Sequence, residues 1–229
     1  MYPRIFSPPL IGQKKQSFFL FGPRGVGKST WLQAHFPGAI RFDFLDDRIY
    51  QRLLTDPGSL REQIPPDHDD WIILDEIQRV PDVLNEVHRL IETDKRSFIL
   101  TGSSARKLKR GHANLLAGRA LTFNMYPLIY SELGKDFQLE DRIRWGSLPS
   151  VIKHSTPEEF IASYVNTYLR EELMQEGIIR NLQNFRKFLE AASFSHAQPL
   201  NISRIAKDCG LDRKIASNYF EILEDLLIA

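Results

Sequence analysis

The stretch Gly22-Pro23-Arg24-Gly25-Val26-Gly27-Lys28-Ser29-Thr30 has the residue types and spacing to hold a polyphosphate. It fits G-x-x-x-x-G-K-[ST]: the glycines let the backbone curl so that successive N–H groups face one centre, and the helix that follows adds the positive end of its dipole. In that arrangement Lys28 holds the β/γ-phosphates and the Ser29 hydroxyl is a Mg²⁺ ligand.

A second constellation follows at Asp75-Glu76, the end of the apolar run Trp71-Ile72-Ile73-Leu74. A buried parallel strand delivers chemistry at its C-terminal end, so Asp75 is placed to hold Mg²⁺ and Glu76 to polarise an attacking water. The same two acids would also suit the start of a helix, and Ile77 to Glu92 reads as helical. A third run, Ser97-Phe98-Ile99-Leu100-Thr101-Gly102, ends in Ser103 and Ser104. A hydroxyl there reaches a γ-phosphate if this strand lies between the other two, and the alternative duty of either serine is to cap the next helix. Arg119 precedes a further strand, Ala120 to Met125, and offers either a positive charge for the transition state of phosphoryl transfer or an ion pair to a surface carboxylate.

These groups need a scaffold. The apolar run Phe18-Phe19-Leu20-Phe21 supplies the strand before the loop, and Trp31-Leu32 begins the helix after it. Pro37-Gly38 stops that helix, Ala39 to Phe44 alternates as a strand, and Arg48 to Leu54 is a short helix. Thr55 to Asp70 reads as helix fragments and loop, and the proline-rich residues before Gln16 read as a loop over the sheet edge. From Pro127 the pattern is helical, with Thr156 as N-cap and Pro157 in the first turn of a helix running to about Leu173. Arg186 to Ser193 is a further helix. Ile202 to Cys209, the turn Gly210-Leu211-Asp212, and Arg213 onward resemble a helix-turn-helix.

Composition narrows the function classes. With 30 basic against 29 acidic residues the net charge is +1, so no global field draws the chain to nucleic acid or membrane. Arg106-Lys107-Leu108-Lys109-Arg110 is the densest basic run, read as a solvated helix face ahead of a nucleic-acid contact. The only cysteine, Cys209, excludes an internal disulfide, and six scattered histidines offer no metal site. Neither a signal peptide nor an apolar stretch of membrane-spanning length is visible, so a cytoplasmic location and no membrane partner are expected.

The order of these motifs resembles the AAA+ ATPase core. In particular, Phe21-Gly22-Pro23-Arg24-Gly25, Leu74-Asp75-Glu76-Ile77-Gln78, Leu100-Thr101-Gly102-Ser103-Ser104, Leu116-Ala117-Gly118-Arg119-Ala120, Tyr168 to Glu172 and Tyr219 to Glu224 resemble the predicted prokaryotic AAA-type ATPases with a C-terminal domain of unknown function. The resemblance implies an α/β fold with a five-stranded parallel sheet of P-loop type and flanking helices, the polar-ended strand inserted between the other two. A helical lid and a helix-turn-helix, winged-helix-like segment follow. The expected domains are a core over 1–126, a lid over 127–184 and the helix-turn-helix over 185–229. Family members continue past this point into a nuclease-like domain, so the C-terminal part is expected to be missing. By the same resemblance Arg119 is an arginine finger acting on a neighbouring subunit, or a sensor in its own chain.

These readings converge on ATP and Mg²⁺ as ligands and on an ATPase that drives a conformational change. Residues 22–30 bind nucleotide, Lys28, Glu76, Ser103, Ser104 and Arg119 serve catalysis, and Ser29 and Asp75 hold the metal. The rival is a slow nucleotide-switched module that presents the helix-turn-helix to DNA or a protein. A small-molecule kinase is weaker, for want of an acceptor site. Without an Asn-Lys-x-Asp motif adenine is favoured over guanine, and a homo-oligomer through Arg119 is a possible assembly. The segment 201–229 carries four basic residues against five acidic, so weak DNA binding at best is expected. Its apolar stripe Ile215, Tyr219, Ile222, Leu223 and Leu226 must be covered to avoid self-association.

Overall fold

The computed structural model describes residues 2–6, 16–106, 108, 116, 118–169 and 182–228. The chain divides into two compact units, residues 1–153 and 154–229.

The first unit is built on a five-stranded parallel sheet. Its strands are β1 (Phe18–Phe21), β2 (Ile40–Asp43), β3 (Ile72–Asp75), β4 (Phe98–Gly102) and β5 (Leu121–Asn124), in the order β2-β3-β4-β1-β5. The polar-ended strand β4 therefore lies between the loop-bearing β1 and the acid-bearing β3. In β1, β3 and β4 every residue is buried, which explains their unbroken apolar runs: helices cover both faces, so no position is left for polar alternation. The edge strands β2 and β5 keep exposed positions. Register aligns Phe18 with Ile99 and with Leu121, and Asp43 with Asp75. Phe18, Trp31, Phe36, Trp71, Ile73 and Ile99 share one core cluster. Each such side chain is worth about 1.5–3 kcal/mol of burial.

Helix α1 (Lys28–His35) follows the phosphate-loop pattern, and α2 (Asp47–Thr55) starts where Asp46 accepts a hydrogen bond from the Arg48 N–H. The expected helix from Ile77 does not form as one piece. After β3, Glu76 takes a left-handed conformation (φ 62), Ile77–Arg79 makes one 3₁₀ turn, and α3 (Val83–Thr93) begins only beyond Pro81. Proline has no N–H to give and holds its predecessor out of the helical region, and Val80 indeed sits at φ −132, ψ 70.

Short helices α4 (Tyr130–Leu133), α5 (Leu139–Trp145) and α6 (Pro149–Ile152) complete this unit, so part of the span expected as a lid belongs to the first compact body. The N-terminal segment, residues 2–6, is tied to it: Ile5 N–H donates to Glu132 Oε1 at 2.8 Å, and Arg4 Nε lies 3.4 Å from the same oxygen. The expectation for residues 7–15 lies outside the described residues.

The second unit opens with α7 (Pro157–Ser163), continuing as a π-helical turn over Tyr164–Leu169. Thr156 stands at the N-cap position, but its side chain makes no cap bond there; its hydroxyl is 3.3 Å from His154 Nδ1. The expected continuation to Leu173 falls partly outside the described residues. Helices α8 (Leu182–Ser193), α9 (Ile202–Cys209) and α10 (Arg213–Asp225) then pack around Phe185, Phe188, Ile205, Ala216, Tyr219 and Ile222. Asn201 and Asp212 accept from the N–H groups of Arg204 and Lys214, so each helix of the turn pair has a side-chain cap. Gly210 closes α9 at φ 65, a conformation that glycine adopts without steric cost.

Tyr219, Ile222, Leu223 and Leu226 are buried here, so the apolar stripe is covered within the unit; only Ile215 stays exposed. The reason given for self-association is thereby removed for the rest of the stripe. Among the described residues of 154–229 there is no strand that could form the wing of the expected winged-helix-like segment.

Candidate functional site

The loop between β1 and α1 lies at the C-terminal end of β1, an inner strand of the sheet. Gly22 passes so close to the chain leaving β5 that a Cβ would stand 2.3 Å from the Met125 carbonyl oxygen, a contact only glycine avoids. Gly27, at φ 96, turns the chain into α1 and leaves the first turn without a side-chain cap, so its N–H groups are directed toward a ligand position. Lys28 is buried and folds back over the loop, its Nζ donating to the carbonyls of Gly22 at 2.6 Å and Pro23 at 3.3 Å. Val26 packs into the core, whereas Arg24, Gly25 and Thr30 lie on the exposed side.

At the end of β3, Asp75 is 4% exposed and gathers three partners. Ser29 Oγ donates to Oδ2 at 3.0 Å, the Thr101 hydroxyl donates to Oδ1, and Arg41 forms an ion pair with Oδ2. The two residues expected to hold Mg²⁺ are thus brought within hydrogen-bond distance of each other. Their hydroxyl and carboxylate oxygens fit the hard-oxygen preference of that ion. Thr101 and Arg41 were not among the expected site residues. Thr101 was visible as the polar end of β4, while nothing local in the sequence pointed to Arg41.

Glu76 is half-buried, and its carboxylate accepts a hydrogen bond from Gln78 Nε2, which also donates to Ser103 Oγ at 3.2 Å. The 3₁₀ turn after Glu76 is what bends Gln78 back toward β4. Gly102 makes room for it: a Cβ there would lie 2.4 Å from Gln78 Oε1. Of the two serines, Ser103 joins this cluster, and Ser104 Oγ accepts from the Arg106 N–H at 3.0 Å in the manner of a cap.

Beside the loop lies a slot of about 160 Å³ lined by Tyr2, Arg4, Val26, Trp31, Leu128 and Lys153, among others. The Lys153 ammonium stands 5.0 Å from the centre of the Tyr2 ring. Burial pushes the Arg4 guanidinium below its ordinary range, with the Glu132 carboxylate opposing that shift. Trp31 Nε1 is buried with no hydrogen-bond partner among the described residues. The slot is mainly apolar, carries buried donors and opens next to the glycine-rich loop.

Arg119 is elsewhere. It precedes β5, whose first residue Leu121 pairs with Phe18, the first of β1, so it stands at the N-terminal edge of the sheet. There it forms an ion pair with Glu92, whose carboxyl it holds below the usual carboxylate range chiefly through a hydrogen bond. The strand length puts the loop roughly 13 Å away along β1, so a sensor role toward this chain's own loop is not supported by the placement. Arg106 is buried, not on a solvated face, and most of the basic run 106–110 lies outside the described residues.

Comparison with known proteins agrees with the core. A family model described as an AAA domain matches residues 14–134, more than half of the chain, and a domain of unknown function (DUF8612) matches residues 136–229. The C-terminal domain of unknown function, expected to be missing, therefore has its match within this chain. An uncharacterized protein of Haemophilus influenzae is 22% identical over 225 residues, and one of Methanocaldococcus jannaschii 24% identical over 238. Each alignment covers 90% of this chain and 54% of the relative, so the chain spans about half the length of the curated relatives it matches. Among solved structures, the Aeropyrum pernix ORC2 protein in ADPNP-ADP complexes is similar at 12% identity with a TM-score of 0.49, covering 93% of this chain and 80% of that one. The A. pernix ORC1 protein in complex with DNA is similar at 12% identity and a TM-score of 0.38, covering 96% and 80%. Neither likeness is close enough to carry a function across. No helix among the described residues is long and apolar enough to cross a membrane. The loop, the acid-bearing strand, the inserted strand β4 and a family match over residues 14–134 lead to one statement of kinship: the chain belongs to the AAA domain family and has the AAA+ P-loop fold.

Proposed function

We propose that this protein is a Mg²⁺-dependent ATPase whose site is formed by residues 22–30, Asp75, Glu76 and Ser103. The observation that carries the reading is the meeting of Lys28, Ser29 and Asp75 at the C-terminal ends of β1 and β3, with Glu76 and Ser103 beside them. Lys28 holds the β/γ-phosphates; for that its ammonium exchanges the carbonyls of Gly22 and Pro23 for phosphate oxygens. Glu76 takes a proton from the attacking water, and the Ser103 hydroxyl orients either that water or a γ-phosphate oxygen. When bound, Mg²⁺ neutralises charge that develops on the phosphates, and Ser29 and Asp75 are the residues that would hold it. The base lies in the slot of Tyr2, Arg4, Trp31 and Leu128, and turnover of the nucleotide drives a conformational change.

The second reading, a module that binds ATP and turns it over slowly, is favoured by one observation. Both working carboxylates are already engaged, Asp75 by Arg41 and Glu76 by Gln78. Steady-state ADP release measured with and without duplex DNA separates the readings. Turnover of at least about 1 s⁻¹, the low end of ordinary enzymes, supports the ATPase; tight ATP binding with turnover far below that supports the switch. Absence of ATP binding rejects both.

A further inference from the structure

Asp75 has more company than a metal carboxylate needs. Its Oδ2 accepts from Ser29 and is ion-paired with Arg41, and its Oδ1 accepts from Thr101. Arg41 is the second residue of β2 and is registered with Ile73, two residues before Asp75 on β3. Side chains two apart on a strand share a face, so the guanidinium needs to reach only about 7 Å along the strand axis. The carboxylate is 5% exposed and the Arg41 side chain 33% exposed. A buried carboxylate demands a cation, and arginine supplies one that deprotonation does not remove.

A divalent ion held by Asp75 would meet that guanidinium at the same oxygen. We propose that Arg41 is the resident counter-cation of Asp75, which a divalent cation must displace or share the carboxylate with, so that Arg41 sets the metal concentration at which the site loads. The inference rests on the assignment of Asp75 to the metal in the function proposed above. Arg41 is a positioning residue, acting on the metal through Asp75. The competing account is a staple between β2 and β3, indifferent to metal.

The test uses the whole chain without nucleotide. Mn²⁺ binding is measured by electron paramagnetic resonance, and thermal melting is followed in chelator and in millimolar Mg²⁺. Arg41→Met removes the competing charge but leaves the stem, so it should bind Mn²⁺ roughly tenfold tighter than the wild type. That figure is well below the bare Coulomb attraction, because the guanidinium is part-exposed. It should also melt lower in chelator and recover on adding Mg²⁺ by more than the wild type does. Unchanged or weaker Mn²⁺ affinity, or equal Mg²⁺ responses, overturns the proposal. If Arg41→Met does not fold, Arg41→Lys keeps a cation in place but holds the carboxylate by a point charge. It should bind Mn²⁺ a few-fold tighter than wild type, and affinity equal to or below wild type again overturns the idea. Failure of ATP to bind would count against the function proposed above and leave this measurement standing, whereas Mn²⁺ binding unaffected by Asp75→Asn would overturn the metal assignment and this inference together.

Discussion

The two ends of the parallel sheet differ in how they treat polar side chains. At the C-terminal ends of β1, β3 and β4, Lys28, Asp75, Thr101, Gln78 and Ser103 are buried and bonded to one another or to the loop. At the N-terminal edge, Arg119 and Glu92 are 39% and 48% exposed, and Arg96 donates to the carbonyls of Pro66 and His68. Charged groups packed in a low-dielectric groove act strongly on a ligand, while an exposed pair is screened by water and salt. On the function proposed above, the nucleotide lies at the C-terminal end, and Arg119, at the other, would meet a phosphate only in a neighbouring copy.

The largest expected effect breaks the buried end outright. Lys28→Ala should abolish nucleotide binding, since the ammonium is the main charge on the β/γ-phosphates. An unchanged ATP dissociation constant by calorimetry would reject the loop as the site. Glu76→Gln keeps the shape but cannot accept a proton; ATP binding should persist while turnover falls by roughly 10²–10⁴. Normal turnover would reduce Glu76 to a residue of the turn.

Arg119→Ala should cost up to about 10³ in turnover with binding nearly intact, if copies of the chain assemble so that it reaches a neighbour's phosphate. Recovery of activity on mixing this variant with Lys28→Ala would place the arginine in trans, and a normal rate for the single variant would remove it from the mechanism.

Gln78→Ala should lower kcat about tenfold at unchanged KM, because a base displaced by a fraction of an ångström loses alignment without losing substrate. Gly102→Ala pushes on the same amide and should give a similar loss that does not add to it in the double variant. Additive losses would show that the two act separately.

The smallest effect concerns Glu92. Its folded-state carboxyl is held below the ordinary range by Arg119, so the pair's contribution is present above the usual glutamate value of about 4.3 and is lost as pH falls through the lower folded value. Glu92→Gln should melt only slightly below wild type at neutral pH, with the difference shrinking in acid and in high salt. A large, salt-independent drop would contradict the exposed-pair description.

Much of this molecule was legible in the chain because the contacts that define it are short in sequence. The phosphate loop closes on itself within seven residues, from Gly22 to Lys28, and the helix-turn-helix is set by Asn201, Gly210 and Asp212 acting on their own neighbours. Buried strands announce themselves by unbroken apolar runs, so β1, β3 and β4 were readable as elements. Local readings failed at Ile77, where apolar periodicity outweighed the stop that Pro81 imposes, and at Thr156, whose side chain makes no cap bond.

What the sequence by itself determined is thus most of the elements, the glycine-rich loop and the acids at the end of β3. Tertiary structure alone decided which side chains meet: Arg41 with Asp75 across 34 positions, Gln78 with Ser103 across 25, and Arg119 with Glu92 at the far edge. The reason is geometric. Those pairings follow from register, from where the chain turns after Glu76 and from which end of a parallel strand a residue precedes. These are properties of the assembled sheet, and residue type and local spacing do not encode them.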